Sequence, residues 1–312
     1  MTNINTRTQR FTHTVRSTGP AQGMTFSGRG RLADQGAVRP DTPLVIAVPG
    51  GTYTSAYFDV AEYSLLERAT AVGVPVLAID RPGYGESTPV DPGESIILAN
   101  AEVLDHLIGE LWEEHGAGTA GIVLIGHSIG GATVSALAAR GPSWPLLGIA
   151  ISGCLLEAPA EAGEAWAALP DLPVVEMPRE TKDFVMFGPE WTSHEDMPAA
   201  SHVADSPVPK AELLDITGGW IERVRSVVAK ITVPVHYRQG EFDRLWITDA
   251  AQVAAFSEAF VSAPFVDARL VASSGHCIDF HRSSASFQLD QLAFALSCCI
   301  TPPGPPSAGT AS

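Results

Sequence analysis

Ser128 stands in Gly126-His127-Ser128-Ile129-Gly130-Gly131, after the apolar run 121–125 and before an Ala-rich stretch over 131–140. A strand that turns sharply into a helix through G-x-S-x-G presents its serine at the top of a sheet. The turn imposes strained backbone on the serine, and only small residues at 126 and 130 leave room for it. The helix that opens behind Ser128 aims amide N–H groups at the same spot and favours negative charge there. A serine hydroxyl becomes a nucleophile only when a base takes its proton. Among nine histidines, His276 in Ser274-Gly275-His276 is the candidate base, because it follows directly on the run 268–271. His127 lies inside the elbow and should point away from Ser128, His236 sits in a strand, and His281 reads as structural.

The base needs a carboxylate to fix its tautomer and stabilise the imidazolium. Asp243, in Gly240-Glu241-Phe242-Asp243-Arg244, follows the run 233–237 and so leaves the carboxyl edge of a sheet, where sites of open α/β sheets gather. Glu157 is the competing acid, shortly after the run that ends at 151, and Glu241 lies closer to its strand than Asp243 does. The order Ser128, Asp243, His276 is one that such a constellation adopts. A tetrahedral oxyanion needs preorganised donors. The backbone N–H of Ile129 is the first candidate, and Gly51, with Thr52 after it, is the second, in the turn Pro49-Gly50-Gly51-Thr52-Tyr53.

Six short apolar runs, 44–48, 74–79, 121–125, 146–151, 233–237 and 268–271, carry these groups at their C-terminal ends. Continuous apolar runs of this length fit strands buried on both faces, as in a parallel sheet. Helical patterns over 94–115, 131–140, 221–230, 250–261 and 283–298 separate them. The alternation predicts an α/β doubly wound sheet with right-handed crossovers. Residues 155–219 break it, with many prolines and with Trp166, Phe184, Met186, Phe187 and Trp191, and read as an insertion lying over the sheet. The expected organisation is a frayed polar start over 1–20, a core made of 21–154 and 220–300, the 155–219 insertion as a cap, and a disordered Pro- and Ser-rich tail over 301–312.

Of 312 residues, 45% are hydrophobic and 17% charged, which supports a large core. The net charge of −16 repels nucleic acid and anionic membrane, and no apolar stretch reaches the length of a membrane span. The polar N-terminus lacks the apolar segment of a secretory signal. The four cysteines, Cys154, Cys277, Cys298 and Cys299, show no metal-ligand spacing, and the vicinal pair is too close for ordinary disulfide geometry. Reduced thiols in a cytoplasmic protein follow, with no metal or cofactor expected and homodimerisation left open.

These motifs resemble the α/β-hydrolase superfamily over about residues 25–299. Asp80-Arg81-Pro82-Gly83-Tyr84-Gly85-Glu86-Ser87 looks like the family's D-x-P-G-x-G-x-S turn, and it falls between the oxyanion loop and the elbow, as in the family. The resemblance implies an eight-stranded, mostly parallel sheet with a helical cap between strands six and seven. One departure is Pro49-Gly50 where many members carry His-Gly; the donor there is a backbone N–H, so the change touches the second donor's placement more than the chemistry. The implied activity is hydrolysis of an ester, lactone or thioester of an apolar small molecule through an acyl-enzyme. Tyr53, Tyr84, Phe184, Phe187, Trp191 and Trp246 are the candidate pocket walls. Serine at 128 argues against epoxide hydrolysis and dehalogenation, whose enzymes in this fold carry an aspartate there. Carbon–carbon bond hydrolysis, lyase chemistry and perhydrolysis run on the same three residues and stay open. A non-catalytic ligand-binding protein of the same fold would be expected to lack a triad member, and all three are present.

Overall fold

The structure is a computed structural model that describes residues 7–32 and 39–300. In chain order its strands are β1 Gln9–Thr14, β2 Thr25–Arg31, β3 Leu44–Val48, β4 Val76–Ile79, β5 Ile122–His127, β6 Leu146–Ser152, β7 Val174–Val175, β8 Val208–Pro209, β9 Val235–Gly240 and β10 Val266–Val271. Its α-helices are α1 Leu65–Ala71, α2 Ile96–His115, α3 Ile129–Ala139, α4 Ala160–Ala167, α5 Arg179–Met186, α6 Lys210–Thr217, α7 Gly219–Val228, α8 Ala250–Glu258 and α9 Ser284–Ser297. Eight strands form one sheet in the order β1-β2-β4-β3-β5-β6-β9-β10, parallel from β4 to β10 and antiparallel at the β1–β2–β4 end. This is the α/β-hydrolase fold.

Side chains alternate across a strand, and β3 and β5 use both faces. Leu44, Ile46, Val48, Ile122 and Leu124 join the core layer shared with α2, α3, α7 and α8. Val45, Ala47, Val123 and Ile125 join the opposite layer, shared with α1 and α9. Burial on both faces is why these strands are apolar without interruption. Helix α2 starts at Ser95, whose hydroxyl accepts from Leu98 N–H as an N-cap.

The start of the chain corrects one expectation. Instead of fraying through residue 20, Gln9–Thr14 pairs with β2 in antiparallel register from Gln9↔Gly30 to Thr14↔Thr25. The strand is polar because it is a half-exposed edge, and the ladder to β2 satisfies its backbone. Residues 1–6 and the 301–312 segment lie outside the described residues.

Between β6 and β9 the 155–219 segment carries α4, the two-residue β7–β8 ladder, α5, two short 3₁₀ turns and α6. Helix α6 packs against α2, α3, α4 and α7, so the insertion is seated on the sheet's helical layer. Among the described residues no helix is long and apolar enough to cross a membrane.

Candidate active site

Ser128 connects β5 to α3 with φ 54° and ψ −123°, a region that a residue with a Cβ rarely enters. The strained turn is held at both ends: Ser128 N–H donates to Ser152 O at 2.7 Å, and Ser128 O accepts from Ala132 N–H at 3.0 Å. A Cβ on Gly130 would overlap the carbonyls of Val48 and Pro49, and one on Gly126 would lie 2.7 Å from Gly130 O. The close approach of α3 to the ends of β3 and β5 thus requires glycine at both positions. His127 stacks on Tyr57, with centroids 4.9 Å apart, and its ring lies 4.8 Å from that of His276. Burial, with His276 adding to it, holds its pKa well below the ordinary histidine value, so it is neutral.

His276 Nδ1 lies 2.7 Å from Asp243 Oδ2, and both side chains are buried. Asp243 is saturated with donors: Oδ2 also accepts from Gln239 Nε2 at 2.7 Å, and Oδ1 from Leu245 N–H at 2.8 Å. An ionised carboxylate only accepts, so the proton sits on His276 Nδ1, and Nε2 carries the free lone pair. Among the described residues Nε2 has no hydrogen-bond partner. The competing acids are elsewhere: Glu157 is exposed, and Glu241 is exposed with Oε2 accepting from Ser273 N–H.

The loop that carries His276 is braced by His281. Its Nε2 accepts from Gly275 N–H at 2.9 Å and Gly188 N–H at 3.2 Å, which leaves the proton on Nδ1 to donate to Cys277 O at 2.8 Å. Burial pulls the His281 pKa down to about 4, which matches this neutral tautomer.

Facing Ser128 is the loop after β3. Gly51, Thr52, Ser128 and Ile129 are among the residues that line a narrow pocket. Ile129 N–H is the first amide of α3 and so lacks an intrahelical acceptor. The cap closes the pocket with Trp166, Met177, Val185, Met186, Leu213 and Ile216, and Leu245 and Trp246 close it from the loop after Asp243. Apart from Lys182, Thr52 and Thr217, the side chains that line this pocket with Ser128 are apolar. Among the described residues no group of three or more His, Cys, Asp or Glu could hold a metal ion.

A profile described as the alpha/beta hydrolase family matches residues 45–286. The chain belongs to that family. Comparison with curated proteins gives no match. Among solved structures, this hydrolase is similar to a thermophilic esterase from Thermogutta terrifontis, at 18% identity and TM-score 0.65, over 94% of this chain and 100% of that one. It is also similar to an E-2-(acetamidomethylene)succinate hydrolase, at 18% identity and TM-score 0.64, over 91% of this chain and 98% of that one. An N-acyl homoserine lactonase matches at 17% identity and TM-score 0.63, over 95% of this chain and 99% of that one.

Of the aromatic wall residues expected in this hydrolase, the structure brings only Trp246 to the pocket, with its Nε1 donating to Gly153 O at 2.8 Å. The other five are corrections. Phe184 is 61% exposed and Trp191 60% exposed. Helix α5 turns Lys182, Val185 and Met186 inward at spacings of three and four, which leaves Phe184 on the outer face, where Arg244 covers its ring. Trp191 lies past the end of α5 and meets Phe242 edge-on. Phe187 is buried against Phe280. Tyr53 is buried beneath the Lys182 ammonium, whose Nζ stands 3.6 Å above the ring centroid. Tyr84 is buried with its hydroxyl on Glu212 Oε2 at 2.6 Å.

Sequence reasoning assigned no role to Arg81, Asn100, Lys182, Asp205 or Glu212. Arg81 and Glu212 form a fully buried ion pair, and Asn100 Nδ2 also donates to Glu212 Oε1 at 2.9 Å. Lys182, buried and paired with Asp205, donates to Thr52 O at 2.9 Å. Burial draws its pKa below the ordinary lysine value, against the opposing pull of Asp205. Arg81 was visible in the D-x-P-G-x-G-x-S turn; the acids and the lysine of the cap carried no motif.

Proposed function

We propose that this alpha/beta hydrolase is a serine hydrolase that cleaves an ester, lactone or thioester of an apolar small molecule. The reading rests on one observation above the rest: a buried Asp243–His276 pair leaves His276 Nε2 unpartnered in a site whose strained serine opens onto an apolar pocket. Ser128 Oγ attacks the carbonyl carbon while Nε2 takes its proton, and Asp243 stabilises the resulting imidazolium. The oxyanion accepts from the N–H groups of Ile129 and Gly51. His276 then protonates the leaving group, and water, activated by the same nitrogen, releases the acid and restores Ser128. The apolar lining supports an acyl group without charge. Two similar structures, an esterase and an N-acyl homoserine lactonase, are in keeping with this chemistry.

Reaction of the folded protein with a fluorophosphonate, followed by peptide mass mapping, is expected to place one adduct on Ser128 and none in Ser128→Ala. Hydrolysis of p-nitrophenyl esters of graded acyl length should vanish in the same variant. An unlabelled wild-type protein, or an active Ser128→Ala, would overturn the reading.

A further inference from the structure

We propose that Arg81 is a positioning residue that aims the Gly51 N–H at Ser128, and that the cap, through Glu212, holds Arg81 in place. The inference rests on the serine-hydrolase reading and specifies how its second oxyanion donor is made.

Each of the three nitrogens of the Arg81 guanidinium donates a hydrogen bond. Nε donates to Pro49 O at 2.9 Å, Nη2 to Gly50 O at 3.0 Å, and Nη1 to Glu212 Oε1. The first two acceptors belong to the oxyanion loop, and the third belongs to α6 of the cap. Peptide planarity turns this grip into an orientation. The C=O of Gly50 and the N–H of Gly51 belong to one planar trans unit and point in opposite directions. Holding Gly50 O toward the buried guanidinium therefore fixes Gly51 N–H toward the other side of the loop, and Gly51 lines the same pocket as Ser128 and Ile129 and packs closely on the Ile129 side chain. The Thr52 N–H belongs instead to the unit that contains Gly51 O, and no described side chain donates to that oxygen. The grip thus favours Gly51 over Thr52 as the donor.

The far end of the loop is held by a second cation from the cap. Lys182 donates to Thr52 O at 2.9 Å and pairs with Asp205, while Ser206 N–H donates to the same oxygen at 2.9 Å. Thr52 itself has φ 65°, a conformation that external contacts must sustain. Three of the four carbonyls from Pro49 to Thr52 are thus gripped by buried cations whose counter-charges, Glu212 and Asp205, lie in the cap. An ion pair that merely fastened the cap to the core would have no need to reach two consecutive carbonyls. A planar fork that does so defines direction, which a lysine point charge does not.

The test compares wild type with Arg81→Lys and Glu212→Gln, using a p-nitrophenyl acyl ester for turnover and an aryl trifluoromethyl ketone as a probe that needs the oxyanion donors. Loss of one such donor costs about 10²–10³ in kcat, and a misaimed donor should cost part of that. Arg81→Lys is expected to lower kcat by about ten- to a hundredfold with KM within about threefold. Affinity for the ketone should fall by a factor similar to the loss in kcat/KM. Glu212→Gln, which keeps the shape and the acceptor for Asn100, should lose less in the same pattern and serves if Arg81→Lys does not fold. Equal kcat and equal ketone affinity in a folded variant would overturn the proposal while leaving the Ser128 reading intact. So would losses confined to KM or thermal stability. A wild-type protein that takes no fluorophosphonate would bring down both, and would be recognised by that first measurement.

Discussion

On the oxyanion side of Ser128, full charges hold the backbone: Arg81 and Lys182 grip the carbonyls of Pro49, Gly50 and Thr52. On the base side, neutral groups do most of the holding: His281 braces Gly275 and Gly188, and Gln239 donates to Asp243. The difference follows from what each side must keep still. The base loop is tied both to the core and to the 155–219 segment by ordinary hydrogen bonds, with Gly188 N–H donating to His281 and Cys277 N–H to Met186 O at 3.0 Å. The oxyanion loop is gripped by a core arginine answered by Glu212 of α6 and by Lys182 of α5 paired with Asp205, and a buried cation requires an acid beside it. Charge gives reach and direction, and in return the loss of either partner leaves an ion stranded in the interior.

The comparison breaks most sharply at Asp243, the carboxylate that His276 Nδ1 meets. Asp243→Asn should keep the fold and lower kcat by about 10⁴-fold, because an amide donates to Nδ1 and moves the proton to Nε2; esterase assays with circular dichroism check both halves. The two braces are then set against each other by urea unfolding. Glu212→Ala strands the Arg81 guanidinium and should cost about 3–5 kcal/mol. His281→Ala leaves the Gly188 and Gly275 amides without an acceptor and should cost about 1–3 kcal/mol. Equal losses in the two variants would erase the distinction between a charged and a neutral brace.

A smaller effect sharpens it by pH. His281 titrates at about 4 in the folded protein against roughly 6.5 unfolded. Between those values the unfolded chain binds more protons, so stability rises with pH there and is lost as pH falls from about 6.5 toward 4. His127, also depressed by burial, acts in the same direction. The unfolding free energy from urea titrations should therefore drop between pH 7 and pH 5.5, by on the order of 1 kcal/mol, with a lower midpoint, and His281→Gln should flatten part of that slope. A midpoint independent of pH over this range would count against the neutral brace. Least of all should happen at the exposed aromatics: Phe184→Ala and Trp191→Ala are expected to leave kcat/KM within about twofold, consistent with surface substitutions.

The same division explains what could be read from sequence. β3, β5 and β6 announced themselves because burial on both faces writes continuous apolar runs. β1 and β2 did not, since Gln9-Arg10-Phe11-Thr12-His13-Thr14 is a half-exposed edge and β2 carries Gly28, Gly30 and two arginines. The strand-end placement of Ser128, Asp243 and His276 was legible because each sits in a local pattern. The wall aromatics were misread for a physical reason: composition puts Phe184 in the cap, but the phase of α5 decides which way it faces. Glu212 and Lys182 were invisible because an acid or a lysine in a helix is usually solvated. Only the pairing across 131 residues, between Arg81 and Glu212, makes burial tolerable.

That pairing also bears on how such a protein could be rebuilt. Residues 155–219 look like a module to exchange for a change of specificity, since they enter and leave the sheet between neighbouring strands, β6 and β9. Yet α6 supplies the acid that answers a core arginine, and that acid also receives Tyr84 and Asn100. A chimera must bring a carboxylate to the same spot or give up Arg81 as well, so lid and core are inherited as one unit, like a lock sold with its key.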